Sequence, residues 1–481
     1  MSLTELTAIS PVDGRYRDIA EPLEPFASER ALIKNRVMIE VEYLCKLERY
    51  GVVNFSPEEK IVLRQFYENL SEEDAKLIKD IETKGVEGIN VGKDKKGKGT
   101  DHDMKAIELF MKKRLEGSSL QDRLEMIHFC LTSEDVNNLA YTLLLKEGVR
   151  KVVVPSLVKL EEMLVYMAEQ YKDMPMPGRT HGQHAIPTTV GKELAVFAYG
   201  IAGQLDDLIN MRLKGKLNGA IGNYSAFYAT HPQINWAEFS REFVESFGLV
   251  HNPITTQIEP HDSMVDLFDK LKHINTIILG TDQDMWQYIS DEYFVQKPEE
   301  GEVGSSTMPQ KINPIKFENS EANLGAANAL LAYFANKLPV SRFQRDLSDS
   351  ATQRWIGTAL AASVVAYTNT VRGLRRSMPY KEKLDEELNN HWEVLGEPVQ
   401  QILRREGVSG AYNILKGLTQ GKKWSQGALV LFAKSSGLPE SVQQEIITLT
   451  PQKYIGKGPE LASEAVGYVK ETIARAKKYA A

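Results

Sequence analysis

The stretch MVDLFDKLKHINTIILGTDQDMWQY, residues 264–288, decides the fold class because its apolar side chains recur every three or four residues. This spacing places them along one stripe of an α-helix, interrupted by a single polar residue. The stripe consists of Met264, Leu267, Leu271, Ile274, Ile278, Thr281, Met285 and Tyr288. A helix of this length exceeds the usual range of about 8–20 residues, so the stretch predicts a long helical bundle.

Two other stretches have the same helical spacing, and strand-like pairs are scarce. The first contains Leu157, Leu160, Leu164, Met167 and Tyr171, and the second contains Leu324, Ala327, Leu331, Phe334 and Leu338. We therefore predict an all-α fold in three parts. These are an N-terminal helical domain (1–120), a central long-helix bundle (121–374) and a C-terminal helical domain (375–481).

Composition excludes several classes of function. The 481 residues carry a net charge of −7, so no global basic field favours nucleic acid or an acidic membrane. No run of about eighteen apolar residues predicts a membrane span, and the N-terminus does not resemble a secretory signal. Cys45 and Cys130 both lie in apolar stretches, which is typical of reduced, buried thiols. We expect a cytoplasmic protein.

The first polar cluster is GRTHGQHAIPTT, residues 178–189, which leads into an apolar helix. His181 suits acid–base chemistry because histidine titrates near neutrality. His181 and His184 also have a spacing that metal ligands use, but no carboxylate or third histidine stands at ligand spacing. We therefore expect no metal, and surface or capping histidines remain a sufficient explanation.

Two further clusters precede helices and are ambiguous in isolation. In LTSEDVNNLA (131–140), Thr132 or Ser133 is a candidate helix cap, and the same helix start offers hydroxyls and N–H groups to a carboxylate. In TTQIEPHD (255–262), Gln257 and His261 stand just before the longest stripe.

The stretch GEVGSSTMPQKINPIKF, residues 301–317, is a stronger candidate site. Glycines and the hydroxyls of Ser305 and Ser306 precede Lys311 and Asn313, and a helix is predicted to begin near Pro314. A helix N-terminus beside a lysine and an amide favours an anion. An ordinary capped loop is the alternative, but it gives these polar residues no packing purpose.

Arginines with nearby hydroxyls indicate a phosphate site. In SRFQRDLSDSATQR (341–354), Arg345 and Arg354 flank Ser350, although a salt-bridged helix face is the alternative. Arg15 and Tyr16 in SPVDGRY are a weaker candidate. The lysine-rich segment 84–98 superficially matches a phosphate-binding loop, but acidic residues stand where that loop needs Gly and Ser or Thr. We expect a solvated loop there, rather than an electrostatic funnel for an anionic substrate.

These motifs together carry a family resemblance. GSSTMPQKINP resembles the signature loop GSSxMPxKxNP of the fumarase/aspartase superfamily. The flanking motifs resemble the adenylosuccinate lyase family, in its longer bacterial-type branch, and they follow in order along nearly the whole chain. They are SPVDGRY, HDMKAIE, TSEDVNNLA, RTHGQHAIPTTVGKE, GAIGNY, TTQIEPHD and RFQRDLSDSATQR. Gln310 and the lysine-rich insertion before Asp101 depart from the family pattern.

The resemblance implies a carbon–nitrogen lyase of purine biosynthesis. It would release fumarate by β-elimination from adenylosuccinate, giving AMP, and from the succinylaminoimidazole carboxamide ribotide. The fold implied has three domains, and its long central helices form a twenty-helix core in a homotetramer whose active sites are shared between subunits. The partner implied is a small-molecule nucleotide, with no cofactor, nucleic acid or membrane.

The resemblance also implies residue roles. Ser305 would be the general base and His181 the general acid, oriented by Glu318, while Lys311 lowers the pKa of the serine and His102 assists near the phosphate. Residues implied to bind the substrate are Arg15, Tyr16, Asp103, Thr132, Ser133, Thr180, Gln257, Ser306, Lys311, Asn313, Arg345, Ser350 and Arg354.

Three alternatives remain open. A sister lyase would act on argininosuccinate, aspartate or malate, against which the nucleotide-side arginines argue. A structural protein that keeps the lyase fold, as lens crystallins do, would not need His181, Ser305 or Lys311. A nucleic-acid or membrane-binding module conflicts with the acidic balance.

Overall fold

A computed structural model of the chain describes residues 4–89, 98–298, 308 and 310–481. Within these ranges the chain is mainly α-helical, as the apolar spacing predicts. The α-helices are α1 (Arg17–Ala20), α2 (Glu24–Ala27), α3 (Glu29–Arg49), α4 (Pro57–Glu68), α5 (Glu72–Thr83), α6 (Asp103–Leu115), α7 (Ser133–Gly148), α8 (Val154–Gln170), α9 (Val190–Asn210), α10 (Ser225–Thr230), α11 (Trp236–Ser246), α12 (Asp262–Ser290), α13 (Ile315–Lys337), α14 (Ser348–Gln353), α15 (Ile356–Arg376), α16 (Lys381–Asn390), α17 (Gly396–Arg405), α18 (Ala411–Thr419), α19 (Gln426–Ser435), α20 (Glu440–Ile447) and α21 (Gly458–Ala480).

The strands of the described residues are short and pair two by two. They are β1 (Pro175–Met176), β2 (Arg179–Thr180), β3 (Gln183–His184), β4 (Thr188–Thr189), β5 (Lys214–Gly215), β6 (Val250–His251), β7 (Phe294–Gln296) and β8 (Ser377–Pro379). The pairs β1–β4, β2–β3 and β7–β8 are antiparallel, and β5–β6 is parallel. The all-α fold class is therefore confirmed.

The long apolar stripe forms a single helix, α12, of 29 residues. Its side chains from Met264 to Met285 at the predicted positions are all buried. The stripes of α8 and α13 are buried as well, from Leu157 to Met167 and from Leu324 onwards. Each buried leucine contributes about 1.5–3 kcal/mol through removal from water, which stabilises these helices far more than their intrinsic propensities.

The chain forms two compact units. Unit 1 contains Met1–Val154, Leu208–His273 and Gly325–Val365. Several of its helices, including α3 and α4, begin at side-chain caps that the sequence provides. Ser28 Oγ accepts from the Ala31 N–H at the start of α3, and Ser56 and Glu59 form a capping box at α4. Within the unit, α3 packs against α4 and α7, and α5 packs against α6.

Unit 2 contains Pro155–Asp207, Ile274–Leu324 and Ala366–Ala481. Helices α8 and α9 approach each other closely at Gly191, where an added Cβ would lie 2.3 Å from the Ala168 carbonyl oxygen. The C-terminal helices close around their own apolar cluster, which includes Trp392, Val399 and Leu429. The predicted division into domains 1–120, 121–374 and 375–481 stays a prediction.

Three further predictions concern the cysteine thiols, membrane-spanning helices and the lysine-rich segment. Cys45 and Cys130 are free thiols; Cys45 is buried, as predicted, whereas Cys130 is only half-buried. Among the described residues, no helix combines the length and the apolarity that crossing a membrane requires. Residues 90–97 of the lysine-rich segment lie outside the described residues, and Lys84 before them pairs with Asp80 on α5.

Candidate active site

In unit 1, Arg345 and Gln257 meet at the start of α7. The Arg345 guanidinium donates to Gln257 Oε1 at 2.9 Å and pairs with Glu134 Oε1 at 2.9 Å. The Gln257 amide donates in turn to the Ala220 carbonyl oxygen at 2.8 Å. Glu134 is buried, and this burial raises the pKa of its carboxyl even though Arg345 opposes the shift. These contacts fix the orientation of both predicted substrate residues before any ligand arrives.

The same network continues to Asp103. Asn137 donates to Glu134 Oε1 at 3.0 Å and accepts from Arg36 Nε at 2.8 Å. Arg36 then donates to Asp103 Oδ2 at 2.6 Å from a fully buried position. Burial opposes ionisation of Asp103, but the charge and hydrogen bond of Arg36 together with the Met104 N–H outweigh it, so the pKa of this carboxyl is lowered. Asp103 is therefore a charged, hydrogen-bonded anchor at the first residue of α6.

Arg354 lies at the other side of Asp103. Its guanidinium donates to Glu29 Oε2 at 2.7 Å and lies 3.7 Å from Asp103 Oδ2. A cleft of about 260 Å³ lies beside it and is also lined by Tyr141 and Gln353. Arg354 is thus both paired with carboxylates from other segments and exposed to the cleft, so ion pairing and ligand binding are compatible here.

A buried ion pair between Asp135 and Lys216 fixes the start of α7. Asp135 Oδ1 accepts from Lys216 Nζ at 2.8 Å and from the N–H groups of Asn218 and Gly219 at 3.0 and 3.2 Å. Its Oδ2 accepts from the Thr132 N–H at 2.9 Å, as a helix cap does. The cap predicted for this motif is present, and the half-buried Thr132 and Ser133 lie at the positive end of the helix.

The other candidates of unit 1 lie in exposed or partly exposed segments. His102 precedes α6, and its Nδ1 accepts from the Lys105 N–H at 3.1 Å. Arg15 is exposed and Tyr16 is half-buried just before α1, while Ser350 is half-buried within α14. Among the site residues predicted for this unit, Asp103, Gln257, Arg345 and Arg354 are the ones that the network brings together.

In unit 2, His181 lies at the tip of the β2–β3 hairpin. His181 and Gly182 form its turn with positive φ values of 54° and 73°, as tight hairpin turns require. Thr180 pairs with Gln183, and Arg179 pairs with His184. The Arg179 guanidinium donates to the Tyr293 hydroxyl at 2.8 Å, which anchors the hairpin at its base. The candidate acid is therefore exposed on a short and well-anchored turn.

The residues before α13 form the second candidate group of unit 2. The Lys311 N–H donates to the Met308 carbonyl oxygen at 3.1 Å, and Gln296 donates to the Ile312 carbonyl oxygen at 3.1 Å. The helix begins at Ile315, directly after Pro314, as predicted. Lys311 and Asn313 thus stand at its positive end. Ser305 and Ser306 lie outside the described residues.

Glu318 lies in the first turn of α13 and is exposed. Its Oε1 accepts from the Trp286 indole N–H at 3.1 Å. Within the described part of this single chain, no hydrogen bond joins Glu318 to His181, so the orienting role of this glutamate stays a prediction.

Sequence reasoning missed the buried members of the unit 1 network, namely Arg36, Glu134 and Asn137. A signal for Arg36 was present, because it stands between apolar residues at helical spacing in ALIKNRVMIE. A charged residue on an apolar stripe requires a buried partner. That partner, Asp103, lies 67 residues further along the chain.

Comparison with known proteins places the chain in a family. A family model described as "Lyase" matches residues 58–330, and one described as "Adenylosuccinate lyase C-terminal" matches residues 341–455. The chain is 43% identical to the adenylosuccinate lyase of Haemophilus influenzae over 469 residues, which covers 96% of this chain and all of the relative. It is 42% identical to the adenylosuccinate lyase of Escherichia coli K12 over the same length, with the same coverage.

Solved structures are similar in fold. The 3-carboxy-cis,cis-muconate lactonizing enzyme of Pseudomonas putida superposes with a TM-score of 0.75 at 17% identity, over 94% of this chain and 97% of that one. A fumarate lyase of Mesorhizobium sp. gives 0.69 at 16% identity, over 93% and 97%. These likenesses show the fold alone, and the sequence matches show the family. The chain belongs to the adenylosuccinate lyase family of the fumarase/aspartase superfamily.

Proposed function

We propose that this chain catalyses the β-elimination of fumarate from adenylosuccinate, giving AMP, and from the succinylaminoimidazole carboxamide ribotide of purine biosynthesis. The observation that carries the proposal is the identity of about two residues in five with adenylosuccinate lyases along nearly the whole chain. The preorganised arginines of unit 1 support it, because fixed guanidinium groups bind a nucleotide phosphate through two parallel hydrogen bonds.

The reaction needs a base, an acid and charge stabilisation. A proton leaves the carbon beside a carboxylate, and the carbon–nitrogen bond then breaks as the nitrogen takes up a proton. The intermediate carries two negative charges on one carboxylate, so cations and oriented N–H groups stabilise it. Lys311 and Asn313 at the start of α13, and Thr132 and Ser133 at the start of α7, are suited to hold the succinyl carboxylates.

We assign the proton transfers to Ser305 and His181. Ser305 takes the proton from carbon, and Lys311 makes this feasible by lowering the pKa of the hydroxyl. His181 protonates the leaving nitrogen from its exposed turn. Glu318 orients His181, and His102 assists near the phosphate. Arg15, Tyr16, Asp103, Thr180, Gln257, Ser306, Arg345, Ser350 and Arg354 complete substrate binding.

We further propose a homotetramer with active sites shared between subunits, acting in the cytoplasm on a small-molecule nucleotide. Single-chain geometry supports this assembly, because both side chains are exposed and no hydrogen bond joins His181 to Glu318 in the described part of the chain. A neighbouring copy is the natural source of the missing partners.

The test is the change in ultraviolet absorbance when the purified full chain meets adenylosuccinate, with argininosuccinate as the matched control substrate. We expect turnover of adenylosuccinate alone. Turnover of argininosuccinate alone would replace the proposal with a sister lyase. A folded chain that is inactive on both would favour a structural protein.

A further inference from the structure

Three side chains of unit 2 converge on one point beside the His181 hairpin. His184 comes from β3, Glu387 from α16, and His391 directly follows α16. The Nε2 atoms of His184 and His391 lie 3.5 and 3.6 Å from the same carboxylate oxygen, Glu387 Oε2. One ligand atom from each of the three residues lies within 4.8 Å of the others.

These distances fit the coordination shell of a small dication. Zinc binds histidine nitrogen and carboxylate oxygen at about 2.0–2.2 Å, so neighbouring ligands of a tetrahedral site lie roughly 3.3–3.6 Å apart. Two imidazoles and one carboxylate are also a donor set that catalytic zinc sites use, with water in the remaining position.

The opposite sides of these ligands are held by other residues. Lys383 Nζ lies 3.0 Å from Glu387 Oε1, which leaves Oε2 directed at the two rings. His391 Nδ1 lies 2.7 Å from Glu393 Oε1, which fixes the ring so that Nε2 faces Glu387. A carboxylate behind a histidine is the usual outer support of a metal ligand, since it sets the tautomer and the ring orientation.

Metal binding also depends on solvent access to the three side chains and on the orientation of the two imidazole rings. The side chains of His184, Glu387 and His391 are 22%, 19% and 23% exposed, so an ion reaches them from solvent without unfolding. The two rings stack with centroids 3.6 Å apart and planes 22° apart. Nearly parallel rings do not aim both nitrogens at one point, so binding requires one imidazole to turn about its Cβ–Cγ bond. That torsion has a broad energy well.

We propose that His184, Glu387 and His391 form a binding site for one transition-metal dication of the zinc type. The expectation of no metal rested on His181 and His184 alone, which lacked a carboxylate and another histidine. The fold supplies both from α16 and the residue that follows it, and it excludes His181, which lies in the hairpin turn. A bound ion joins β3 to α16 within unit 2 and so steadies the hairpin that carries His181.

The test is isothermal titration of the full-length protein with zinc chloride, after removal of metals by a chelator. We expect one zinc per chain. Glu387→Gln and His391→Gln should each weaken binding at least about tenfold, and Glu393→Gln should weaken it less. His273→Gln, which changes an exposed histidine on α12, is the matched control and should leave the affinity unchanged.

Cobalt(II) provides an independent readout, because its visible absorption reports nitrogen and oxygen ligation in a folded protein. Circular dichroism of each variant separates loss of the site from loss of the fold. Two results would overturn the proposal and leave a hydrogen-bonded cluster. One is the absence of stoichiometric zinc binding, and the other is a zinc affinity in the Glu387 and His391 variants equal to that of the parent. Binding is measured without turnover, so this outcome is independent of the proposed lyase activity.

Discussion

At the scale of single residues, His181 combines an exposed ring with a left-handed backbone. We predict that His181→Asn lowers kcat by about 10²–10⁴-fold, because general acid catalysis contributes on that order. Asparagine tolerates the left-handed conformation, so the turn should keep its geometry. Steady-state kinetics on adenylosuccinate measure the loss, and thermal unfolding shows whether the fold is kept. Near-normal turnover would remove His181 from the mechanism.

Asp282 provides a second residue-scale prediction. Burial raises the pKa of its carboxyl to about 8, against hydrogen bonds from Ser320 and Thr370. An unfolded aspartate releases its proton near pH 4, so the unfolded chain gains stability from ionisation that the folded chain does not. The free energy of unfolding should therefore fall as the pH rises from about 4 to about 8.

Asp282→Asn should remove this component of the pH dependence. We expect the difference in Tm between variant and parent to increase in favour of the variant from pH 5 to pH 8. Asp269→Asn on the same helix is the control, since Asp269 is exposed and should not change this slope. If Tm changes with pH by the same amount in the parent and in Asp282→Asn, the prediction is contradicted.

At the scale of elements, the contact between α8 and α9 depends on one missing methyl group. We predict that Gly191→Ala is strongly destabilising, because its Cβ would meet the Ala168 carbonyl oxygen and the Lys172 backbone at 2.3 to 2.5 Å. Backbone atoms cannot yield as a flexible side chain does, so the helices must separate. Chemical denaturation should show a lower midpoint.

The matched control is Gly467→Ala on α21, where nothing lies within 4 Å of an added Cβ. Alanine has the better helix propensity by about 1 kcal/mol, so this variant should be neutral or more stable. Equal effects of the two substitutions would show that helix propensity, not close approach, governs α9.

At the scale of the whole molecule, the long helices carry large apolar side chains on their outer faces. Val196 and Tyr199 on α9 are more than half exposed in the single chain, and Tyr333 on α13 is half exposed. Large apolar side chains exposed on one face of a long helix, such as Val196 and Tyr199, favour an interface there. We predict that light scattering gives the mass of four chains.

The assembly prediction has a matched pair of variants. Val196→Asp should reduce the assembled fraction, because a carboxylate would be buried at the interface without a partner. Leu431→Asp changes another exposed apolar side chain, on α19 rather than on one of the long helices, and should leave the mass unchanged. A monomeric parent would contradict the tetramer. An equal assembled fraction in the two variants would contradict an interface at Val196.

Periodicity predicted the helices well because burial of one stripe is a local property of the sequence. The stripe from Met264 to Tyr288 gave both the type and the approximate length of α12. The caps at Thr132 and the helix start after Pro314 were predicted for the same reason, since the residues that satisfy a helix end lie within one turn of it.

Pairings between distant residues could not be read in this way. Arg36 meets Asp103, Arg345 meets Glu134, and His184 meets Glu387 only because segments far apart in sequence pack together. The spacing of residue types along the chain does not predict these contacts. For that reason the candidate site was predicted by motif and resemblance, whereas its supporting network and the histidine–glutamate cluster appeared only in three dimensions.

The left-handed turn at His181 also has an evolutionary consequence. A change of one base converts either histidine codon into an asparagine codon, and asparagine is among the residues that accept this backbone. On the acid role proposed for His181, a folded relative that lacks the acid lies a single mutation away from this sequence. The same proposal predicts that only selection for activity disfavours asparagine here, whereas β-branched residues are disfavoured because they do not fit the left-handed turn.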